Sequence, residues 1–364
     1  EMDLLGENNQ GSQFIGITGT NGKSTVTALL GKIFSNSHLN IQIGGNIGYP
    51  SLGLRKLGKN GVYILEVSSY QLELLSSIKF DIAILINISP DHISRHGSFR
   101  NYIKIKESIF KNQKDQDLAI IGIDDKFSYE IYKRLKKEKR QKVIPISKNK
   151  KIPGGVYSSK GWLINDINLK KEKIIKIERL KNITGLHNVQ NVAAALAASW
   201  SSGINKKAIL SSIVKFKTLL HRQEVILEKK GITFINDSKA TNIDSAVKAL
   251  ENYKNIFWIA GGQSKNENFR KMIPFLKNVK HAFFLGETSN QLHTLLGKRL
   301  ESIESDNLEK ATTQAYNMAQ EFLKDNKEKQ ASVLLSPACA SLDQWKDFEE
   351  RGNAFKKTVK ELMK

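Results

Sequence analysis

Apolar residues in this chain come in compact runs separated by stretches of helical spacing. Gln13–Thr18 predicts a short buried strand, and Ser24–Phe34 carries Val26, Leu29, Leu30 and Ile33 at the spacing of one helix face. Val62–Val67 and Asp81–Ile88 are β-rich, the second almost continuously apolar, which fits parallel strands covered on both faces. Leu118–Ile121 and Val143–Ile146 predict further strands. Residues 147–177 alternate Gly, Lys and short apolar runs, predicting hairpins, and Val189–Trp200 is an Ala-rich helix. The pattern restarts after Leu220. Strands are expected at Glu224–Leu227, Thr233–Ile235, Phe257–Ala260, Ala282–Leu285 and Ser332–Leu335. Helices are expected at Asp244–Leu250 and near 268–277, 287–297 and 308–324. This βαβα alternation predicts an α/β chain of two doubly wound domains, 13–220 and 221–364, preceded by a polar, glycine-bearing linker at 1–12.

Composition narrows the class. Hydrophobic residues make up 40% of the 364, enough for ordinary cores, and no run of about 18 apolar residues predicts a membrane span. The single Cys339 excludes an intrachain disulfide and a zinc site built on several cysteines, and fits a cytoplasmic protein. The charge of +21 allows two readings. One is phosphate contact with a nucleic acid; the other is surplus lysine on solvated faces. The basic residues are dispersed, and their one dense run, Lys133–Lys142, has no interleaved aromatics, so the solvated reading is preferred, with no nucleic-acid partner. Because the chain opens on Glu1 rather than Met, a longer natural protein is expected.

The strongest local signal is Ile17-Thr18-Gly19-Thr20-Asn21-Gly22-Lys23-Ser24-Thr25, between the first strand and the first helix. Glycines there let backbone N–H groups approach phosphates, and the helix N-terminus adds a positive dipole. Lys23 can reach β- and γ-phosphates, and the Ser24 hydroxyl can hold Mg²⁺. The strict phosphate-loop pattern would place glycine at position 17, where this chain has Ile, so a plain glycine-rich turn competes. Gly-Lys-Ser-Thr opening a helix favours the phosphate loop.

Further segments offer ligands. Glu66 ends a strand, where α/β sheets place ligand contacts. Asp91-His92 follows the Asp81–Ile88 strand and the Ser89-Pro90 turn, and Lys106 lies on a predicted helix. Singly, these read as a solvent-exposed acid, a capping or core histidine and a surface lysine. Mg²⁺ prefers oxygen ligands, so a histidine is unusual and an unmodified lysine is none. Gly44–Gly48 reads as a loop permitting close backbone approach. His187 and Asn188 can cap the Ala-rich helix. At the domain junction, the Arg222 guanidinium can stabilise a transferring phosphoryl group.

Taken in order, these segments resemble the Mur ligase and folylpolyglutamate synthetase superfamily. Gly19-Thr20-Asn21-Gly22-Lys23-Ser24-Thr25 is similar to its ATP loop, with the distinguishing middle Thr-Asn. Glu66-Val67-Ser68-Ser69-Tyr70-Gln71-Leu72-Glu73 and Asn87-Ile88-Ser89-Pro90-Asp91-His92 look like its two magnesium motifs, and Gly185–Asn191 like its adenine-facing motif. Asn236-Asp237-Ser238-Lys239-Ala240-Thr241-Asn242 resembles the D-glutamate-adding branch of the Mur ligases rather than the folylpolyglutamate synthetases. One departure stands out. The family often has Asp-His-x-Asp-Arg, where this chain has Asp91-His92-Ile93-Ser94-Arg95.

The resemblance implies a central ATP-binding domain with a mostly parallel sheet and phosphate loop, then a Rossmann-like C-terminal domain, with the family's N-terminal uridine-binding domain missing. It implies a cytoplasmic, monomeric, ATP-dependent amide ligase that uses a pair of Mg²⁺ ions. Its substrates would be UDP-N-acetylmuramoyl-L-alanine and D-glutamate, joined through an acyl phosphate in peptidoglycan-precursor synthesis. By the same resemblance, ATP is bound by Gly19, Thr20, Asn21, Gly22, Lys23, Ser24, Thr25, Asn191, Arg222, Asp237 and Lys239. Catalysis falls to Lys23, Glu66, His92, an N-carbamylated Lys106 and Arg222, and the metal to Ser24, Glu66, His92 and Lys106. Asn46, Ser68, Thr241, Lys265, Ser341, Leu342 and Phe348 face the muramoyl and D-glutamate substrates. The rivals are another ligase of the superfamily, folylpolyglutamate synthetase-like, and a basic nucleic-acid-binding NTPase. The second would need a Walker-B strand followed by helicase or RNA-binding motifs, which the sequence lacks.

Overall fold

The structure, a computed structural model, describes residues 1–364 apart from Gly48, 181–184, 217–218, 265–267, 326–329 and Lys364. It divides into two units, Glu1–Lys217 and Thr218–Lys364. In the first, the strands are β1 (Gln13–Thr18), β2 (Ile41–Gly45), β3 (Val62–Glu66), β4 (Ile82–Leu85), β5 (Leu118–Gly122), β6 (Lys142–Ser147), β7 (Val156–Ser159), β8 (Trp162–Asn165) and β9 (Glu172–Lys176). Among the described residues they form one sheet ordered β2-β3-β1-β4-β5-β6-β7-β8-β9. It is parallel up to β7, and β8 and β9 add antiparallel hairpins. The helices are α1 (Met2–Asn8), α2 (Lys23–Ser35), α3 (Ser69–Leu74), α4 (Ile93–His96), α5 (Phe99–Glu107), α6 (Lys126–Glu138), α7 (Leu186–Ser201) and α8 (Lys206–Lys215).

The unbroken apolar runs have a simple cause. Ile15, Ile17, Val62, Ile64, Ile82, Ile84 and Ile120 enter one core with α2, α7 and α8. Phe14, Tyr63, Leu65, Ala83, Leu85, Ala119 and Ile121 enter another with α1, α5 and α6. Successive side chains point to opposite faces, so a strand buried on both leaves no polar register.

Several expectations change. The segment 1–12 is not an extended linker throughout. Helix α1 buries Met2 and Leu5, and the Asp3 carboxylate accepts backbone N–H bonds from Ser76, Ser77 and Ile78 at 3.0, 3.0 and 2.7 Å. Two apolar residues at i and i+3 were hidden by polar composition. The apolar run Asp81–Ile88 is strand only at Ile82–Leu85; its remainder becomes a loop that grips the phosphate loop, described below. The helix near 268–277 is a 3₁₀ helix, Phe269–Asn278, with Pro274 inside it. Proline has no N–H to give and disfavours a regular α-helix. The basic run belongs to α6 and the turn after it. Helix α6 buries Ile131, Tyr132 and Leu135, while Lys133 pairs with Glu130 and Arg134 with Glu107 on exposed faces.

The second unit has β10 (Glu224–Lys229), β11 (Ile232–Asn236), β12 (Ile256–Gly261), β13 (Val279–Leu285), β14 (Ser302–Glu304) and β15 (Ala331–Leu335), ordered β10-β11-β15-β12-β13-β14. Among the described residues, β10 alone runs antiparallel. Helices α9 (Ile243–Asn252), α10 (Ser289–Leu296), α11 (Leu308–Asp325) and α12 (Phe348–Leu362) complete it. Because β15 lies between β11 and β12, the loops leaving all three strands meet at one sheet edge, the carboxyl end where such sheets bind ligands. No described helix in either unit is long and apolar enough to cross a membrane.

Candidate active site

The phosphate loop is held from outside as well as by its own glycines. Thr20 N donates to the Asn87 carbonyl at 2.9 Å, Asn21 N donates to Asn87 Oδ1 at 2.9 Å, and Asn87 Nδ2 returns a bond to the Asn21 carbonyl at 3.1 Å. Ser89 N donates to Thr20 Oγ1 at 2.9 Å, and that hydroxyl lies 3.0 Å from Tyr102 Oη. Asn87 thus fixes a turn that must keep its remaining N–H groups aimed outward. Gly22 has φ +94°, and a β-carbon there would lie 2.3 Å from Asn191 Oδ1. Glycine is required on both counts. The same contact places buried Asn191, bonded to Asn188 Oδ1 at 2.9 Å, directly against the loop. Lys23 Nζ donates to the carbonyls of Gly19 and Thr20 at 2.8 and 2.9 Å. Ser24 and Thr25 are buried in the first turn of α2.

Beneath the loop lie two opposite kinds of buried group. Glu66 is 2% exposed; its Oε1 accepts from Asn46 Nδ2 at 3.0 Å, and its Oε2 has no hydrogen-bond partner among the described residues. Lys106 is 1% exposed, and its Nζ donates to Thr18 Oγ1 at 3.0 Å and the Gly19 carbonyl at 3.1 Å. Burial, then the nearby Lys23 charge, push the Lys106 amine well below the ordinary lysine range, against the opposing pull of Asp91 and Glu66. Lys23, Glu66, Asp91 and Lys106 are therefore electrostatic neighbours. A buried carboxylate oxygen without a donor is costly, and a divalent cation is what such an oxygen suits. No three His, Cys, Asp or Glu side chains converge among the described residues. A cation here would draw on the residues that the resemblance offers, Ser24, His92 and a modified Lys106, with phosphate and water completing its shell.

His92 stands at the N-terminus of α4 with φ +52°. Its Nδ1 lies 3.1 Å from Tyr70 Oη and its Nε2 3.5 Å from Asp91 Oδ2. Ser68 is engaged as the N-cap of α3, accepting from Gln71 N at 3.2 Å in a capping box.

In the second unit, the expected residues cluster at the carboxyl edge of the sheet. Asp237 is buried, takes bonds from Ser336 Oγ at 2.8 Å and Gln223 N at 3.1 Å, and is pushed up to about 7 by burial despite the Arg222 charge nearby. Asn236 Nδ2 lies 2.9 Å from His221 Nδ1, and burial holds that imidazole below its usual range. Lys239 Nζ stands 5.1 Å over the Phe348 ring. Ser341 is buried, Thr241 half-buried and Leu342 65% exposed. Lys265 lies outside the described residues.

Residues 17–199 match the Mur ligase middle domain and residues 221–339 the Mur ligase glutamate ligase domain. The chain belongs to the Mur ligase family. It is 39% identical over 350 residues to the UDP-N-acetylmuramoylalanine--D-glutamate ligase of Phenylobacterium zucineum, covering 96% of this chain and 74% of that protein. The Rickettsia felis protein of the same name is 40% identical over 360 residues, covering 99% of this chain and 78% of that one. Among solved structures, MurF from Acinetobacter baumannii superposes with a TM-score of 0.69 at 17% identity, covering 99% of this chain and 78% of that one. Escherichia coli FolC in complex with DHPP and ADP gives 0.66 at 17%, covering 99% and 91%. These last two establish the fold. As a Mur ligase, the protein is an ATP-dependent ligase that forms a carbon–nitrogen bond.

Within this Mur ligase fold the structure adds a residue that the sequence analysis passed over. Arg351 is 1% exposed, with Nε donating to Ser238 Oγ at 3.0 Å and Nη1 to the Ala340 carbonyl at 3.3 Å. Its Nη2 donates to the carbonyls of Ser238 at 3.0 Å and Cys339 at 3.2 Å. One guanidinium ties the loop after β11 to the loop after β15. The signal was present: Arg351, Phe355, Thr358 and Val359 form a buried stripe at helical spacing on α12. Arg351→Met preserves most of the stem but takes the donor from the Ser238 hydroxyl and carbonyl and the Cys339 carbonyl, while the Ala340 carbonyl keeps its bond from Gln263 N at 3.0 Å. Unpaired acceptors cost about 1–3 kcal/mol each, partly offset by no longer burying a charge. The expected loss is about 2–4 kcal/mol of unfolding free energy in a denaturant titration; unchanged stability would mean that the two loops hold themselves.

Proposed function

We propose that this ligase joins D-glutamate to UDP-N-acetylmuramoyl-L-alanine with ATP and Mg²⁺. The observation that carries the chemistry is the buried pair under the phosphate loop, Glu66 with an unpartnered oxygen and Lys106 held toward its neutral form. The choice of amino acid is supported by the Asn236–Asn242 segment and by the names of the relatives about 40% identical to this chain.

A carboxylate is a poor electrophile. Its oxygen attacks the γ-phosphorus, the bond to ADP breaks, and an acyl phosphate results. The D-glutamate nitrogen then attacks that carbonyl carbon, phosphate leaves with the bonding pair, and the nitrogen gives up its proton. The backbone N–H groups of the loop and the Lys23 ammonium would orient and neutralise the transferring phosphoryl group. Ser24, Glu66, His92 and the Lys106 carbamate would hold magnesium, which when bound supplies further charge neutralisation on phosphate oxygens. Asn46 would keep Glu66 oriented. Arg222 and Asp237 would serve the nucleotide. Thr241, Lys265, Ser341, Leu342 and Phe348 would receive the amino acid, with Lys265 matching a carboxylate.

A coupled assay of ADP release tests this reading. Turnover with UDP-N-acetylmuramoyl-L-alanine should depend on D-glutamate and fail with L-glutamate; equal turnover without the amino acid would overturn it. Lys265→Ala should raise KM for D-glutamate by more than tenfold, as expected for loss of a charged partner worth about 2–5 kcal/mol, with KM for ATP little changed.

A further inference from the structure

A threonine at the start of a helix ordinarily turns its side-chain oxygen back to accept an N–H of its own first turn. Thr288 is the N-cap of α10 and makes no such bond. It is 2% exposed, and its hydroxyl donates instead to the Gly262 carbonyl at 2.9 Å. The Thr288 backbone N–H reaches the same oxygen at 3.1 Å, and the hydroxyl also lies 3.4 Å from Cys339 Sγ. Gly262 belongs to the turn that leaves β12. Gly261 and Gly262 have φ of +118° and +132°. Added β-carbons would lie 2.0 Å from the Leu285 carbonyl oxygen and 2.2 Å from the Ala340 carbonyl oxygen, so the turn is threaded between the loops that leave β13 and β15. It also pairs with the second of these loops. Gln263 N donates to the Ala340 carbonyl at 3.0 Å, and Ala340 N donates to the Gln263 carbonyl at 3.1 Å. Ser341 follows directly, buried, and its carbonyl accepts from Trp345 N at 2.8 Å.

We infer that Thr288 is a positioning residue for the amino-acid subsite, fixing the Gly261–Gln263 turn and, through the paired Ala340, the place of Ser341. This rests on the reading of Ser341 as a contact of the incoming amino acid. Glycines bring no stiffness of their own, because both halves of the backbone map are open to them. The turn therefore takes its shape from the groups around it, and the Gly262 carbonyl is held by two donors from one residue. An attacking amine must stand about 3–3.5 Å from its carbon, so a small shift in the groups that hold the amino acid is felt in its binding. Thr288→Val keeps the side-chain shape but puts a methyl carbon where the hydroxyl oxygen stands 2.9 Å from the carbonyl. Carbon keeps about 3.3 Å or more from such an oxygen, so the turn has to give way. Thr288→Ala removes the donor without that push, and Thr288→Ser retains it.

Steady-state assays of ADP release, with each substrate varied in turn, test this. Thr288→Val should raise KM for D-glutamate about fivefold, the scale of one neutral hydrogen bond, with KM for ATP unchanged. Thr288→Ala should move the same KM in the same direction, and it carries the test if Thr288→Val does not fold. Thr288→Ser should return KM to the wild-type value. A hydroxyl that served stability alone would lower the melting temperature and the amount of active enzyme, and leave every KM where it was. Ser341→Ala separates the two layers of the reading and should itself raise KM for D-glutamate. If it does so while Thr288→Val and Thr288→Ala keep the wild-type KM, the Thr288 inference alone fails. If Ser341→Ala also keeps the wild-type KM, the amino-acid reading of this sheet edge fails, and the inference with it.

Discussion

Lys106→Ala should lose nearly all ligase activity and regain part of it when formate or acetate is added. Carbon dioxide reacts with a neutral amine, forming an N–C bond and releasing a proton, whereas an unperturbed lysine near pKa 10.4 is almost wholly protonated at neutral pH. Burial and the neighbouring Lys23 shift Lys106 toward the neutral form, which favours carbamate formation. A carbamate would replace that cation by a carboxylate-like anion within electrostatic reach of Glu66, and a divalent ion would offset the two negative charges. Alanine leaves room for a small carboxylate at that position. Lys104, exposed two residues earlier on α5, is the control, and Lys104→Ala should remain active. Full activity of Lys106→Ala without added acid, or an essential Lys104, would show that the carbamate is not part of the site.

Lys23→Ala should lower kcat by about 100- to 1000-fold, the scale for removing one preorganised donor from developing charge. Lys23 Nζ donates to two carbonyls of its own loop, and the loop keeps its bonds to Asn87 and Ser89 without it. Circular dichroism and melting temperature should therefore stay near those of the parent. A folded Lys23→Ala protein with ordinary turnover would remove the phosphate loop from the chemistry.

The fold was legible because burial on both faces leaves a direct imprint. Runs such as Tyr63–Leu65 or Ile82–Leu85 are apolar at every position, and few structures other than a covered parallel strand allow that. The helices were less so. Helix α6 holds its place with Ile131, Tyr132 and Leu135 amid lysines, and α1 with Met2 and Leu5, too few apolar positions to set a period by themselves. For the candidate site, the sequence offered Gly22, Lys23 and Glu66 because each lies in a contiguous motif, and Lys106 through the resemblance alone. It gave no hint that Asn87 grips the phosphate loop through three bonds, or that Arg351 joins two distant loops. Those roles depend on tertiary contacts between residues 66 apart in one case and over a hundred apart in the other. Ser68 and Asn46, which the resemblance turns toward the substrates, also have local roles that the motifs did not show, as a helix cap and as the partner of Glu66.

The place of β15 between β11 and β12 also governs how the second unit must assemble. That strand is Ala331–Leu335, whereas its partners end at Asn236 and Gly261. As the chain emerges from a ribosome, β11 and β12 appear first and find no central strand to pair with. Their edges stay open while about seventy further residues are made, a delay of several seconds at 5–20 residues per second. Pairing then closes long loops, the slow kind of step in folding. The strands of the first unit, β1 to β9, are all complete by Lys176, before any strand of the second unit has been made. Pulse proteolysis of stalled chains should find the first unit protected well before the second.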